Sequence, residues 1–357
     1  MRKGLAALLA VGLLAGVGLT ACSQQPKAKT PKVGIILPDS ASAVRWETAD
    51  RKYLQQAFDA AGIPVMIDNA QNSVQQFQTI ADTMIANGAT ILMIVNLDSG
   101  SGAAVLERAR QAGLRTIDYD RLTLNGRADY YVSFDNTEVG KLQGQGLIQC
   151  LTQKGVQHPT VVYLNGSPTD NNATLFRDGY DGVLSEKFNS NDYVRGPERS
   201  VPGWDGTQAG TLFEQMFADT HGKIDGVLAA NDTLATAAIS VLKRNGLAGK
   251  VPVTGQDASV GGLQQILAGD QCMTVYKAIK KEADAAAALA IALAKNETPP
   301  NLTTVRDPIG ERDVPSVLET PVSIFKDNVK DVVNDGFVTK EELCTPDFAA
   351  ACTAAGI

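Results

Sequence analysis

Polar side chains suited to binding a hydroxyl-rich molecule are concentrated in residues 160–179, TVVYLNGSPTDNNATLFRDG. The segment begins with a β-branched apolar run, turns at a Gly-Ser-Pro, and presents Asp170, Asn171 and Asn172 ahead of a helical pattern. In an open α/β sheet, ligands bind in the loops beyond the carboxyl ends of the strands. One carboxylate and two amides in such a loop suit a ligand with several hydroxyls. The alternative is that the two asparagines only cap the following helix.

Further polar residues stand at the carboxyl ends of other predicted strands. Parallel strands bring these ends to one edge of a sheet, so we expect the side chains to converge there. Carboxylates accept hydrogen bonds from hydroxyls, guanidinium and ammonium groups donate them, amides do both, and an indole packs on the C–H surface of a sugar. This mixture suits a neutral polyhydroxyl ligand. The residues are Arg45, Trp46, Asp120, Arg121, Asn136, Trp204, Asn231, Asp232, Gln256, Asp257 and Lys277.

Each of these residues also has a simpler structural explanation. Asp120 and Arg121 could form a surface ion pair worth less than about 1 kcal/mol. Asn231 or its neighbour could cap the next helix. Trp204 could belong to a core, and Lys277 could be solvated. A separate explanation for every residue is less economical than one shared site, so the sequence favours a binding site.

Alternating strands and helices position these residues, which predicts right-handed βαβ units and parallel sheets. The cycle restarts near residue 129, so we predict two similar α/β lobes. The Ala-rich segment 280–295 is a strong helix former, and residues 317–333 return to a lobe. Several crossings between lobes would make a hinge beside a cleft. The predicted strands are residues 33–37, 64–68, 91–96, 115–120, 129–136, 193–194, 224–232, 251–259 and 272–277, together with the start of 160–179.

The composition excludes some classes of function. The chain has 357 residues, of which 44% are hydrophobic and 20% charged, so it is long enough for two globular cores. Its net charge of −7 gives no indication of the positively charged surface that nucleic-acid binding needs, so we predict no nucleic-acid partner.

An enzymatic function is disfavoured, and no cofactor is predicted. The sequence has no Gly-x-Ser-x-Gly elbow, no His-Glu-x-x-His, and no phosphate-binding Gly-Lys-Ser/Thr loop. Its two histidines, His158 and His221, stand in predicted surface turns, where a solvated side chain is expected. The enzymatic alternative is glycoside hydrolysis by carboxylates in the cleft, with Asp257 as the residue to test.

The N-terminus predicts export. Residues 1–21 combine a basic start, a short apolar run and small residues before a cut site, which is typical of a signal peptide. The ending Leu-Thr-Ala-Cys resembles a bacterial lipobox, so Cys22 is the expected site of lipidation. Residues 22–31 are polar, with two prolines, and form a tether.

Four cysteines remain in the exported part: Cys150, Cys272, Cys344 and Cys352. Disulfides are expected, because the Cys-x-x-Cys spacing of a zinc site is missing and the compartment is oxidising. Three connectivities are possible. Cys344 and Cys352 could pair with each other or pin the C-terminal tail, residues 344–357, to the body.

Several segments together resemble the periplasmic xylose-binding proteins. These are DYDR at 118–121, SFDN at 133–136, GSPTDNNA at 166–173, GQD at 255–257 and MTVYK at 273–277, with VPS at 314–316 and DGF at 335–337. The similarity runs from about residue 32 to 343.

This resemblance implies a type I periplasmic-binding-protein fold, with two doubly wound parallel-sheet lobes joined by a multi-crossing hinge. The expected lobes are residues 32–134 with 278–299, and residues 135–277 with 300–343. A monosaccharide would be trapped in the cleft for an ABC permease. The resemblance places ligand contacts at Arg45, Trp46, Asp120, Arg121, Asn136, Asn172, Trp204, Asn231, Asp257 and Lys277.

Two departures from the family pattern bear on the ligand. Residues 38–44 are mostly small and carry one charge, at Asp39, where a more charged loop is expected, and residues 202–204 lack an acidic approach to the tryptophan. A xylose-like pentose is the predicted ligand, with a hexose or a sugar alcohol as alternatives. We expect a lipid-anchored monomer at the outer face of the cell membrane. It would deliver its ligand for import or, alternatively, act as the partner of a membrane sensor.

Overall fold

The computed structural model describes residues 30–357, which contain twelve strands and twelve α-helices. The strands are β1 (Val33–Leu37), β2 (Val65–Asn69), β3 (Ile91–Ile94), β4 (Arg115–Tyr119), β5 (Tyr130–Phe134), β6 (Thr160–Asn165), β7 (Val194–Ser200), β8 (Gly226–Ala229), β9 (Thr274–Tyr276), β10 (Thr303–Asp307), β11 (Arg312–Glu319) and β12 (Val322–Ile324). The helices are α1 (Arg51–Ala61), α2 (Val74–Ala86), α3 (Ser99–Gln111), α4 (Asn136–Gln153), α5 (Asn171–Asn189), α6 (Gly206–Asp219), α7 (Asp232–Arg244), α8 (Val260–Ala268), α9 (Ile279–Ala294), α10 (Val329–Asn334), α11 (Lys340–Leu343) and α12 (Ala349–Ala354). A π-helical turn, Trp46–Asp50, precedes α1.

Seven strands form the first sheet, in the order β10-β11-β5-β4-β3-β1-β2. All neighbours are parallel except β10 and β11. Every residue of β1 and β3 is buried, because helices cover both faces of the sheet. These strands therefore appear in the sequence as continuous apolar runs, and the predicted parallel α/β class is confirmed.

The second sheet is built around β6, with β7 on one side and β8 on the other. Isolated parallel bridges, Val227 to Val253 and Gln256 to Val275, extend it toward the antiparallel pair β9 and β12. The regular strand predicted at residues 251–259 is wrong, since only these bridges form. Asp257 and Ala258 have φ of 94° and 48°, and this left-handed backbone turns the chain out of the sheet.

The chain passes between the two sheets three times, after β5, after β9 and after β11. Two crossings are tied together where the backbone N–H of Asp135 donates to the carbonyl of Glu319 at 3.0 Å. The sequence analysis placed residues 300–343 with the second lobe, whereas β10 and β11 lie in the first sheet. The reason is strand pairing, because Val317 of β11 aligns with Val132 of β5. Residues 31–357 form one compact unit.

Two glycines let α4 and α5 touch backbone to backbone. A Cβ built on Gly140 would lie 2.0 Å from the carbonyl oxygen of Phe176, and one on Gly179 would lie 2.2 Å from that of Thr137. Both distances are far inside van der Waals contact, so neither position accepts a side chain. This packing fixes the start of α5, which carries part of the site described below.

The disulfides are Cys150 to Cys272 and Cys344 to Cys352. The first joins α4 to the residues that precede β9, across 122 residues of sequence. The second closes the C-terminal tail on itself, which was one of the two roles considered for that pair. Each bridge constrains the unfolded chain, and the longer loop is expected to give the larger stabilisation.

The signal peptide, the tether up to residue 29 and Cys22 lie outside the described residues. Within residues 30–357, no helix has the length and apolar character needed to cross a bilayer. The same range holds no cluster of His, Cys, Asp or Glu arranged for a metal ion.

Asp118 in β4 gives a pH-dependent prediction. Its fully buried carboxylate accepts hydrogen bonds from the N–H and Oγ1 of Thr123, and burial raises its pKa from 3.8 to about 7. A raised carboxyl pKa means that folding favours the protonated form, so the contribution of Asp118 to stability is greatest below pH 4 and declines up to pH 7. We expect Asp118→Asn to gain in melting temperature relative to wild type across this window. Thermal unfolding at pH 4, 5, 6 and 7 measures the difference, and a difference independent of pH would contradict the assignment.

Candidate functional site

A cavity between the two sheets gathers nine of the ten predicted contact residues. The cavity volume is about 30 Å³, since the side chains around it touch one another directly. Asn136 is the predicted residue outside the lining. The lining residues are Ser42, Ala43, Arg45, Trp46, Asp120, Arg121, Asp170, Asn172, Phe176, Trp204, Asn231, Gln256, Asp257 and Lys277.

Arg45 is the most heavily bonded side chain of the first-lobe wall. Its Nε and Nη2 donate to the two oxygens of Asp50 at 2.9 and 2.8 Å, in the bidentate geometry that guanidinium and carboxylate favour. Its Nη1 donates to Asp120 Oδ2 and its Nη2 to Glu282 Oε2, each at 3.0 Å. All four side chains are buried. The cation therefore joins the π-helical turn, the end of β4 and helix α9.

The charges in this network respond differently to burial. Burial alone would raise the pKa of Asp120, but Lys277, Arg45 and Arg121 together lower it to about 2. Glu282 receives less compensation, and burial with the nearby charge of Asp120 raises its pKa well above the usual range. Asp120 is therefore the ionised acceptor facing the cavity, and Glu282 is a proton-holding group behind Arg45.

Trp46 forms an aromatic wall in front of the cations. The guanidinium carbon of Arg45 lies 4.2 Å from its ring centroid and that of Arg121 lies 5.5 Å away. The indole Nε1 donates to Ser42 Oγ at 3.2 Å, and Ser42 in turn donates to Asp39 Oδ2 at 2.9 Å. Asp39 also accepts backbone N–H groups of its own loop, so a short Asx-type turn holds the ring in place.

Asp170 organises the second-lobe wall. Its Oδ1 caps α5 by accepting the N–H of Asn172 at 2.9 Å, and its Oδ2 accepts Trp204 Nε1 at 3.1 Å. The same carboxylate lies 3.0 Å from Nε of Arg121 in the first lobe. Trp204 packs edge-on to Phe176, and its ring passes so close to Gly166 that a Cβ there would lie 2.0 Å from it. The absence of a side chain at Gly166, in the Gly-Ser-Pro turn, therefore leaves room for the indole ring.

Asn172 faces the first lobe and does not cap a helix. Its Nδ2 donates to the carbonyl and to Oδ1 of Asp120, at 2.9 and 3.1 Å. Asn136 stands behind it and donates from its Nδ2 to Asn172 Oδ1 at 3.0 Å. Asn136 thus supports Asn172 from outside the cavity lining. Asn172, and not the neighbouring Asn171, lines the cavity.

Asn231 combines two roles. Its Oδ1 accepts the N–H of Leu234 at 2.9 Å as the N-cap of α7, as the capping explanation predicted. Its Nδ2 donates to the carbonyl of Ser42 at 3.3 Å, so the same amide also bridges the lobes. The side chain lines the cavity as well.

Lys277, at the second crossing, lies between carboxylates of the two lobes. Its Nζ is 3.3 Å from Asp257 Oδ1 and 3.6 Å from Asp120 Oδ2. Asp120, Trp204 and Asp257 have φ of 61°, 57° and 94°, a conformation that costs a residue with a side chain on the order of 1–3 kcal/mol. Three strained residues around one cavity are typical of a functional site.

Asp232 holds the loop that carries Asp257. Its carboxylate accepts from Gln271 Nε2 at 2.9 Å, Thr274 Oγ1 at 2.8 Å and the N–H of Ser259 at 2.8 Å. Burial raises the pKa of Asp232 to about 6. Because these bonds use both of its oxygens, Asp232 supports the site without being the group that a ligand meets.

Five lining residues were not among the predicted contacts: Ser42, Ala43, Asp170, Phe176 and Gln256. Asp170 belongs to the polar loop of residues 160–179, and Gln256 appeared among the polar strand ends. Phe176 has the pattern of an ordinary helix core residue. Ser42 and Ala43 belong to the loop of small residues at 38–44 and carry no chemical signal in the sequence.

Comparison with known proteins identifies relatives of this arrangement. Residues 33–298 match the family model described as the periplasmic binding protein domain. The D-xylose-binding periplasmic protein of Escherichia coli (strain K12) is 35% identical over 317 residues, covering 88% of this chain and 93% of that protein. The protein of the same description from Haemophilus influenzae is 33% identical, covering 93% of this chain and 98% of that protein.

A solved structure gives the same result. An ABC transporter solute-binding protein from Clostridium phytofermentans, with bound β-D-glucose, superposes with a TM-score of 0.80 at 28% identity. The match covers 87% of this chain and 99% of that chain.

The Arg45 network gives a stability prediction. Arg45→Met removes the cation and leaves buried carboxylates unpaired, which typically costs about 3–5 kcal/mol of unfolding free energy. Arg244→Met is the matched control, because Arg244 and its partner Glu214 are both more than half exposed. An exposed pair is worth at most about 1 kcal/mol. Urea unfolding measures both variants, and equal losses would contradict the central role of Arg45.

Proposed function

The chain belongs to the periplasmic binding protein family, and on this premise we propose that its cleft binds a neutral monosaccharide, D-xylose first among the candidates. Members of this family bind substrates and do not transform them. The chain is accordingly the extracytoplasmic sugar-binding component of an ABC transporter, and it works with a membrane permease.

The observation that carries the proposal is the set of polar groups from both lobes around one cavity. Arg45, Arg121 and Lys277 supply donors, while Asp120 and Asp257 supply acceptors. A hydroxyl donates one hydrogen bond and accepts others, so it can pair with both kinds of group. The two carboxylates would repel a sugar that carries a negative charge, and the three cations would repel one that carries a positive charge.

Buried acceptors in the cleft call for a ligand that donates hydrogen bonds. Among the described residues, Asp257 Oδ1 and Gln256 Oε1 are buried atoms that receive no hydrogen bond, although Lys277 lies near the first. A buried oxygen without a donor costs about 1–3 kcal/mol. Sugar hydroxyls would relieve this cost, and the rings of Trp46 and Trp204 would contact the C–H faces of the sugar.

Ligand entry requires the lobes to separate. The cavity of about 30 Å³ has room for roughly two water molecules, which is less than a sugar ring needs. Lobe-to-lobe contacts from Asn172 to Asp120 and from Asn231 to Ser42 are polar, so water can replace them when the cleft opens. We assign residues 32–134 with 278–319 to the first lobe and residues 135–277 with 320–343 to the second. Closure would be a population shift driven by contacts that the sugar makes with both lobes.

A hexose is the second candidate, because the Clostridium phytofermentans structure holds β-D-glucose. A sugar alcohol fits the same donors and acceptors. The proposed ligand class is therefore a neutral molecule with several adjacent hydroxyls.

Calorimetric titration with D-xylose, D-glucose and xylitol tests the function. We expect submillimolar binding of at least one of these, because buried charged groups from both lobes meet its hydroxyls. Asp257→Ala should weaken that binding by at least tenfold, while Asp219→Ala, an exposed change in α6, should leave it unaltered. The absence of any binding tighter than millimolar would reject the proposal.

The membrane anchor is a separate proposal, which rests on the lipobox-like sequence before Cys22. The protein would act as a monomer tethered by this lipid. In cells, Cys22→Ala should move the protein from the membrane fraction to the soluble extracytoplasmic fraction, whereas Cys22 in the wild type should incorporate labelled fatty acid. Equal membrane retention of the two proteins would contradict lipidation at this residue.

A further inference from the structure

A second and larger cavity lies beside the sugar cleft. Its volume is about 450 Å³, within the roughly 300–1,000 Å³ of ordinary small-molecule pockets. Both lobes contribute to its wall, the first through residues 43–53 and the second through the starts of α7 and α8 and residues 336–342. Ala43, Arg45 and Asp257 line this cavity and the sugar cleft alike. The two spaces are therefore separated by one layer of side chains.

We propose that this second cavity receives a further ring attached to the bound monosaccharide, so that the protein also binds disaccharides or glycosides. The inference rests on the proposed sugar-binding function and extends its substrate class. Ala43 stands at the boundary with only a methyl group, and Asp257 lines both spaces.

Three hydroxyl groups of the wall already donate their protons to acceptors within the protein. Thr48 donates its Oγ1 proton to the carbonyl of Val44 at 3.0 Å, and Thr233 donates to the carbonyl of Ser42 at 3.3 Å. Ser259 donates to Asp232 Oδ2 at 3.0 Å. Because their protons are already used, these hydroxyls can only accept hydrogen bonds from a ligand, through their remaining lone pairs. Sugar hydroxyls are donors that match such a wall.

The apolar part of the wall suits the C–H faces of a sugar ring. Tyr53 and Phe337 line the cavity, and both pack against the small cluster of Ala49, Phe134 and Ile279 at the crossings between the lobes. Tyr53 belongs to the first lobe and Phe337 to the second, so the cavity has an aromatic ring from each lobe. A second ring would contact both lobes here and would favour the closed form.

Gly261 provides a way to fill this cavity alone. It lines the second cavity and not the sugar cleft, and a Cβ built on it meets nothing within 4 Å. Gly261→Trp should therefore occupy the space without disturbing the first site. Gly182→Trp is the matched control, because Gly182 is also a helical glycine with nothing within 4 Å and lies in α5, away from both cavities.

Calorimetry of the full chain tests the proposal with two ligand pairs, D-xylose with β-1,4-xylobiose and D-glucose with cellobiose and maltose. For one pair we expect the disaccharide to bind at least tenfold more tightly than its monosaccharide. Gly261→Trp should abolish this advantage and change monosaccharide affinity by less than twofold, while Gly182→Trp should alter neither.

The outcomes separate the two levels of inference. Binding of a monosaccharide without a tighter disaccharide overturns the second-ring proposal and leaves the sugar-binding function intact. A tight disaccharide unaffected by Gly261→Trp overturns it as well, because the second ring would then lie elsewhere. Failure of every sugar to bind overturns both the proposed function and the extension.

Discussion

The guanidinium of Arg45, held by the buried carboxylates of Asp50 and Asp120 and by the buried carboxyl group of Glu282, is the interaction on which the cleft depends. Asp50 reaches it from the π-helical turn, Asp120 from the end of β4, and Glu282 from α9 after the second crossing. Removing ions from water is costly, so such a cluster persists only when every partner is in place. The charge on Arg45 therefore makes three distant segments of the chain adopt one arrangement, and it holds Asp120 ionised at the cavity.

Each lobe is tightly packed inside, and the contacts between the lobes across the cleft are polar. Inside the second lobe, Gly140 and Gly179 bring α4 and α5 into backbone contact, and the Cys150–Cys272 disulfide ties α4 to β9. Across the cleft, the lobes are joined instead by ion pairs and by hydrogen bonds of amide side chains, such as the bond from Asn172 to Asp120. Apolar cores resist exposure to water, whereas hydrogen bonds are exchanged with it readily. This division lets the lobes move as bodies while keeping their walls in shape.

Much of the fold was readable from local pattern. The apolar runs at β1 and β3 and the alternation of strands with helices predicted the parallel α/β class and the strands up to β9, whereas β10, β11 and β12 were not predicted. Errors arose where pairing over long distance decides. The strand expected at 251–259 is broken by a left-handed backbone at Asp257, and residues 303–319 join the first sheet because β11 pairs with β5. Neither fact has a signature within its own segment.

For the site, the sequence by itself determined the chemical inventory: carboxylates, cations, amides and two indoles at strand ends, with Asn172 among them. Only the tertiary structure decided their partners, placing Asn136 behind Asn172, Glu282 behind Arg45, and the small residues Ser42 and Ala43 in the wall. The physical reason is that residue type and strand position are local properties. The partner of a buried charge, and the space beside a methyl group, are fixed by other segments of the chain, which for Arg45 and Glu282 are 237 residues apart.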